Sequence, residues 1–344
     1  MKRILIVMIC IFSAVGTVFA QSDLQSVAIV SLTKSEPITV KQLRTEVEKM
    51  EKGNGRALTV AERRQVLDVM INERLAIQAA ERDRVTVSDA EINTQLQQLR
   101  MTMSQNIGRQ PTDQEFELAI RNQTGTDFAT FKNDIRKQLL VQKYMLEKKR
   151  SIFEAIKVPT EQEINDYYSL AKAQLVRPDT VRVSMISVPF GTDKAQSKVL
   201  VDRLSREIGS DAAKFDETVI KSHTPNSGYE GGDAGYLPKN LQAQQTLGAD
   251  FVNTAFSLKQ GEISKPIEGP RAYQIIKVTE TYTQKNLELT DRIDFGSRMT
   301  VRDYIENGLI QQKQQAAGEK ASQELVQELR QGNPFRVFDN AINW

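Results

Sequence analysis

The sequence predicts an α+β protein: a helical N-terminal module completed by a C-terminal helix, with a small α/β domain inserted between them. Helix starts of the Ser/Thr-x-x-Glu type recur between residues 59 and 163, which indicates several helices in succession. Apolar and polar residues then alternate over residues 181–188, as in a half-buried strand. Helical periodicity returns from about residue 301 to residue 331.

The chain begins with the features of a secretory signal peptide. A basic start at residues 1–3 precedes an apolar run over residues 4–12, and Ala20 closes a small-residue cleavage site. The apolar run is shorter than the roughly 20 residues that a membrane-spanning helix needs. We therefore predict that residues 1–20 are cleaved after export and that the protein meets a membrane only through this transient segment. An uncleaved anchor is the alternative.

The only cysteine, Cys10, lies inside the predicted signal peptide. A lipid anchor would need a cysteine at the cleavage site, where this chain has Ala20. Cleavage would leave a mature chain without thiols, which excludes disulfides, cysteine nucleophiles and thiolate metal sites. Such a chain is compatible with an oxidising compartment.

The charge balance gives no reason to expect nucleic acid as a partner. The chain has 46 basic and 44 acidic side chains, and residues 1–20 hold two basic and no acidic ones, so cleavage leaves 44 of each. The glycine-rich residues 231–235 lack the lysine and hydroxyl of a phosphate-binding loop. We predict no cofactor, no metal and no nucleic acid.

The helical region opens with a strand-like stretch over residues 26–39, with a turn predicted at residues 35–37. Apolar side chains at helical spacing follow over residues 59–82, and a long helix is predicted over residues 126–155. Four capping pairs mark helix starts: Thr59–Glu62, Ser88–Glu91, Thr112–Glu115 and Thr160–Glu163.

A change of composition at residues 176–179 predicts the start of the inserted domain. The expected elements are a strand at 181–188, a helix at 194–208, a glycine-rich loop at 228–235, a short helix at 250–256 and a strand at 273–278.

The C-terminal helix is predicted to stop at Gly332–Pro334, and residues 335–338 can add an edge strand. We expect this segment to return to the N-terminal helices. The predicted divisions are a signal peptide at 1–20, a helical module at 21–176, the inserted domain at 177–282 and the C-terminal helix at 283–344.

Residues 181–280 resemble a parvulin (PpiC-type) peptidyl-prolyl isomerase domain. The resemblance is carried by the strand 181–188, the segment Gly231–Tyr236, the turn Gly261–Ile267 and the strand 273–278, in that order. Residues 26–160 are similar to the helical N-terminal region of SurA-type chaperones, notably at 86–92 and 131–137. The resemblance implies a four-stranded antiparallel sheet flanked by helices, inserted into a chaperone module that binds unfolded outer-membrane or other secreted proteins.

The resemblance implies that Ala234, Leu247 and Phe251 form the pocket for the proline ring. Active parvulins carry two histidines and a Cys or Asp beneath that pocket, and the matching positions here hold Met185, Gln274 and Thr224. None of these three side chains titrates in the way that histidine does. The catalytic site is therefore predicted to be degraded.

The single histidine, His223, lies beside Thr224, and a solvated loop residue is the simpler interpretation of it. Three functions stay open: a chaperone that holds unfolded chains in the periplasm, an active isomerase with an altered site, and a structural or adhesive envelope protein. Four methionines would suit adaptable client contacts, although core packing is the alternative for each: Met70, Met101, Met103 and Met145.

Overall fold

The computed structural model describes residues 24–344, and the predicted signal peptide lies outside them. The chain forms two compact units: the residues up to 156 together with 313–344, and residues 157–312. Residues 157–176 thus belong to the second unit. The predicted α+β class, with a four-stranded antiparallel sheet, is confirmed.

Six helices follow one another between residues 40 and 154. They are α1 (Val40–Asn54), α2 (Val60–Arg82), α3 (Asp89–Ile107), α4 (Asp113–Thr124), α5 (Phe128–Lys148) and α6 (Arg150–Glu154). All four predicted capping boxes are confirmed, because each Ser or Thr accepts a hydrogen bond from the backbone of its glutamate and the carboxylate bonds back. A fifth box, Thr39–Gln42, begins α1.

The long helix predicted over residues 126–155 is wrong at its end, because the chain leaves helical geometry at Lys149. Lys149 is 7% exposed, and its ammonium group bonds to Glu328 at 2.6 Å and Glu324 at 3.4 Å. The break lets a cation that would otherwise be buried alone reach two carboxylates.

A three-stranded sheet completes this unit, in the order β2 (Glu36–Thr39), β1 (Ser26–Val30), β9 (Phe335–Val337), with both pairs antiparallel. The predicted C-terminal edge strand is therefore confirmed. The turn predicted at residues 35–37 is wrong, because β2 already includes Glu36 and the chain bends at residues 32–34 instead.

The bend between β1 and β2 is held by the side chain of Gln78, which is fully buried. Its Oε1 accepts hydrogen bonds from the backbone of Leu32 at 3.0 Å and Thr33 at 3.1 Å, and its Nε2 donates to the Lys34 carbonyl and Glu36. All the hydrogen-bonding capacity of the amide is thus used.

The C-terminal helix α12 (Val301–Leu329) begins in the second unit and ends in the first. Leu325 and Leu329 enter the core of the first unit, and Arg330 bonds to Asp68 and Asn72 of α2. This confirms that the C-terminal helix completes the helical module.

The second unit contains the four-stranded sheet, in the order β5 (Glu230–Pro238), β4 (Thr180–Pro189), β7 (Ala272–Tyr282), β6 (Ile267–Glu268). Helices α8 (Lys194–Ile208) and α9 (Ala212–Lys221) cover one face, and α10 (Leu241–Leu247) and α11 (Ala249–Ser257) pack on the other. The prediction of a glycine-rich loop at 228–235 is wrong, because residues 230–235 belong to β5. The backbone of β5 pairs with β4 although three of its residues are glycines.

A separate apolar cluster in this unit lies between α7 (Glu161–Ala171) and the start of α12. The short strands β3 (Val176–Arg177) and β8 (Lys285–Asn286) pair beside it. Over residues 24–344, no helix combines the length and apolar character needed to cross a membrane.

We predict that Gln78→Leu destabilises the first unit by about 3 kcal/mol, because it leaves the backbone groups of the bend buried without partners. The only tryptophan, Trp344, lies in this unit between the guanidinium groups of Arg44 and Arg63, so its fluorescence during urea unfolding reports on this unit. Gln142→Leu, on an exposed position of α5, is the control. Equal midpoints for the two variants would contradict the role given to Gln78.

Candidate functional site

The candidate site lies on the face of the four-stranded sheet that α10 and α11 cover. In antiparallel strands, directly paired residues and residues two apart share a face. Met185 pairs with Gly232 of β5 and Ile276 of β7. The buried cluster on this face includes Ile276 and Phe251, with Met185 and Leu247 packed against it.

A row of polar side chains crosses the same face, two residues further along β4 from Met185. Ser187 of β4 pairs with Glu230 of β5 on one side and with Gln274 of β7 on the other. Glu230 is exposed, Ser187 half-buried and Gln274 buried. Gln274 could be identified from the sequence, whereas Ser187 and Glu230 could not, since only the strand register reveals that the three are neighbours.

Gln274 has an unusual environment for an amide. The residue is 9% exposed, and its Oε1 is buried without a hydrogen-bond partner. This oxygen lies against Gly269, where a Cβ atom would come within 2.9 Å of it. The amide therefore occupies the space that a side chain at position 269 would fill, and it keeps an unused acceptor.

The predicted pocket residues are only partly brought together. Leu247 and Phe251 lie on the same face as Met185 and Gln274. Ala234 lies apart, because β5 has a bulge at this point: Val183 pairs with Gly235 and Ser184 with Asp233, which leaves Ala234 as the extra, exposed residue.

Thr224 and His223 do not join the site. Both are exposed and follow α9, which packs on the opposite face of the sheet through Phe215. The hydroxyl of Thr224 donates to the Lys221 carbonyl at 2.7 Å, and Nδ1 of His223 lies 3.2 Å from the Ile220 carbonyl. These bonds tie both side chains to the end of α9.

The resulting site is an apolar surface of the sheet, bordered by the polar row in which Glu230 is exposed. Met185 cannot transfer a proton, and the Gln274 amide and Ser187 hydroxyl do not titrate near neutral pH. Such a surface offers apolar contact to a proline ring. Glu230 is the one residue of the row that could exchange a proton, and it is exposed at the end of the row, away from the buried Gln274.

An ionic and aromatic cluster lies at the end of the sheet away from the polar row. Arg182 bonds to Asp233 at 2.6 Å and to Glu280 at 2.9 Å, and its guanidinium group holds the pKa of Asp233 below its usual value. Tyr282 donates to Glu280, which raises the pKa of Tyr282 to about 12. The phenol of Tyr282 therefore stays protonated at neutral pH.

The first unit contains a second candidate site, a groove of about 610 Å³ lined by α1, α2 and the start of α5. Its apolar walls include Met50 and Val69, which are 48% and 63% exposed, together with Met70 and Phe131. The rim carries charges of both signs: Lys41, Lys49, Arg74 and Lys137, with Glu46, Glu73 and Asp134.

The other methionines noted in the sequence have different environments. Met101 is 56% exposed on α3, and Met145 is partly buried against the core of the first unit. Within residues 24–344, no cluster of three or more His, Cys, Asp or Glu side chains has the arrangement needed to hold a metal ion.

Comparisons with known proteins agree with this architecture. Residues 1–145 match the family model of the SurA-like N-terminal domain, and residues 159–291 match the PPIC-type PPIase domain. The chaperone SurA of Alcanivorax borkumensis is 26% identical over 273 residues, which cover 77% of this chain and 55% of that protein. The foldase protein PrsA of Clostridium botulinum is 24% identical, over 86% of this chain and 79% of its own length.

Among solved structures, a SurA-like chaperone of Campylobacter jejuni overlays with a TM-score of 0.40 and 13% identity, covering 91% of this chain and 100% of its own. The fold and the domain matches together define a protein that joins a SurA-like helical module to a single PPIC-type domain. The chain thus contains a SurA-like N-terminal domain and a PPIC-type domain, and it is similar to SurA-type chaperones.

We predict that residues 21–344 do not accelerate cis-trans isomerisation of a proline-containing tetrapeptide beyond its uncatalysed rate. The barrier of about 18–20 kcal/mol then stays as it is in water, because no titrating group lies under the twisting amide. A Leu247→Ala, Phe251→Ala double variant should give the same rate. Activity in the natural chain that the double variant abolishes would contradict this account of the site.

Proposed function

We propose that this protein is an exported chaperone that binds unfolded polypeptides and delays their aggregation. The observation that carries the proposal is the groove of the first unit, in which exposed Met50 and Val69 and partly buried Met70 and Phe131 are surrounded by charged residues. Exposed apolar surface with a polar rim is typical of sites that bind other chains.

The composition of the groove favours weak contact with many sequences over tight contact with one. Methionine side chains such as Met50 and Met70 are unbranched and polarisable, so they adapt to differently shaped apolar partners. The rim pairs opposite charges, for example Lys49 with Glu46 at 2.8 Å, and so does not select strongly for the charge of a client.

The compartment and the clients are part of the same proposal. The predicted signal peptide at residues 1–20 would carry the chain out of the cytoplasm, to the periplasm in an organism with two membranes. The clients would then be newly exported chains, with unfolded outer-membrane proteins the expected class. The name of the Alcanivorax relative, a chaperone, supports this proposal.

Isomerase activity is the second candidate function, and one observation favours it. The Gln274 amide is buried on the same face as Leu247 and Phe251 and keeps an unused acceptor, so a prolyl peptide bound on this face would lie beside a polar group. Excluding water from the amide helps its rotation without a titrating group. We rank this function second because the two histidine positions of the family hold Met185 and Gln274.

We predict that Val69→Ser weakens binding of an unfolded client about fivefold, because part of the 1.5–3 kcal/mol gained by burying a valine is lost. Suppression of the aggregation of a chemically denatured test protein should fall in parallel. The measurement is light scattering during dilution from denaturant, at several ratios of chaperone to client.

Val60→Ser is the matched control, since Val60 is a valine of the same helix, 51% exposed and outside the groove. It should leave suppression unchanged. If both variants lose suppression equally, the groove is not the client site. If the natural chain gives no suppression at all, the proposed function is wrong.

A further inference from the structure

Strand β5 is an edge of the four-stranded sheet. It pairs with β4 along residues 230–238, and no other strand in the described part of the chain pairs with it. An edge strand of this length presents backbone N–H and C=O groups to which another extended chain can bond.

The edge has few of the features that usually block such pairing. Residues 230–238 contain no lysine, and the only proline, Pro238, is the last residue of the strand. A Cβ atom at Gly232 would meet no atom within 4 Å, so the sheet face above this residue is open. The bulge at Ala234 is the one interruption.

The side of β5 that faces the candidate site has a distinct chemical pattern. Glu230 is exposed at the end of the polar row that continues through Ser187 and Gln274. Two residues along, Gly232 places no side chain over its neighbour Met185. A strand added to β5 would therefore meet a carboxylate and, two residues away, accessible apolar surface.

We propose that β5 receives an extended segment of a client polypeptide as an added strand. In the added client segment, the residue opposite Glu230 is basic. The client residue opposite Gly232, two positions away on the same face, is apolar. This inference rests on the proposed chaperone function and specifies a second contact for the same clients. Main-chain hydrogen bonds give affinity for any unfolded chain, and the two positions give a preference.

A second copy of the protein is a poorer occupant of this edge. Antiparallel pairing of two β5 strands places the Glu230 carboxylates of both copies on the same face of one shared edge. Like charges across paired strands are destabilising. The charge of the edge thus favours a neutral or basic partner.

The test measures binding of synthetic peptides to residues 21–344 and to variants at the edge. The probe is a peptide of about seven residues, a usual strand length. Threonines alternate with the test positions, and one lysine and one valine occupy two test positions that are two residues apart. Its matched controls carry glutamate in place of lysine, or N-methyl groups on alternate backbone amides. We expect the N-methylated peptide to bind about tenfold more weakly, because it cannot form the ladder of hydrogen bonds.

Two variants test the side-chain preference. Glu230→Lys should lower affinity for the lysine peptide and raise it for the glutamate peptide, with Glu230→Gln between them. Gly232→Val fills the open space above Met185 and should abolish the preference for valine over serine at the apolar position, while the strand tolerates the β-branched residue.

Hydrogen exchange identifies where the peptide lies. Protection of β5 amides by the lysine peptide, lost on N-methylation, supports the inference. Protection confined to the groove of the first unit, or β5 protection that depends on protein concentration without peptide, would overturn it and leave the proposed function standing. If no peptide binds and no client aggregation is suppressed, the proposed function itself fails.

Discussion

The buried amide of Gln78 fixes the bend between β1 and β2, and the helical module is organised around that point. It joins α2 to the hairpin through four hydrogen bonds, and β1 in turn pairs with β9 from the other end of the chain. A buried amide with every group satisfied specifies one arrangement, since each alternative leaves polar atoms without partners. The return of α12 to this module makes the second unit an insertion between two segments of the first.

Local chemistry made much of the fold predictable. Helix starts at Thr59, Ser88, Thr112 and Thr160 could be predicted because a capping box needs only residues that are close in sequence. Strand β5 could not, because its glycines suggest a loop and its pairing with β4 is a tertiary contact. The polar row and the groove were missed for the same reason: each joins side chains from elements far apart in the sequence.

The face of the sheet under α10 and α11 combines apolar packing with a buried amide. Phe251 and Leu247 belong to the same cluster as Met185, Gln274 adds an amide with an unused acceptor, and Thr224 belongs to the other face. This face borders the open edge of the sheet at β5, where Glu230 is exposed. Together with the groove of the first unit, these features are suited to contact with extended chains and poorly suited to proton transfer.

As proposed, the protein holds unfolded chains without changing how fast their prolyl bonds isomerise. The most direct measurement is refolding of an aggregation-prone protein whose slow phase is limited by proline isomerisation, with and without residues 21–344. Such a phase takes tens of seconds or longer when uncatalysed. The account predicts a higher yield of folded protein with an unchanged rate of the slow phase. An increased rate of the proline-limited phase, with no gain in the yield of folded protein, would contradict the proposed function.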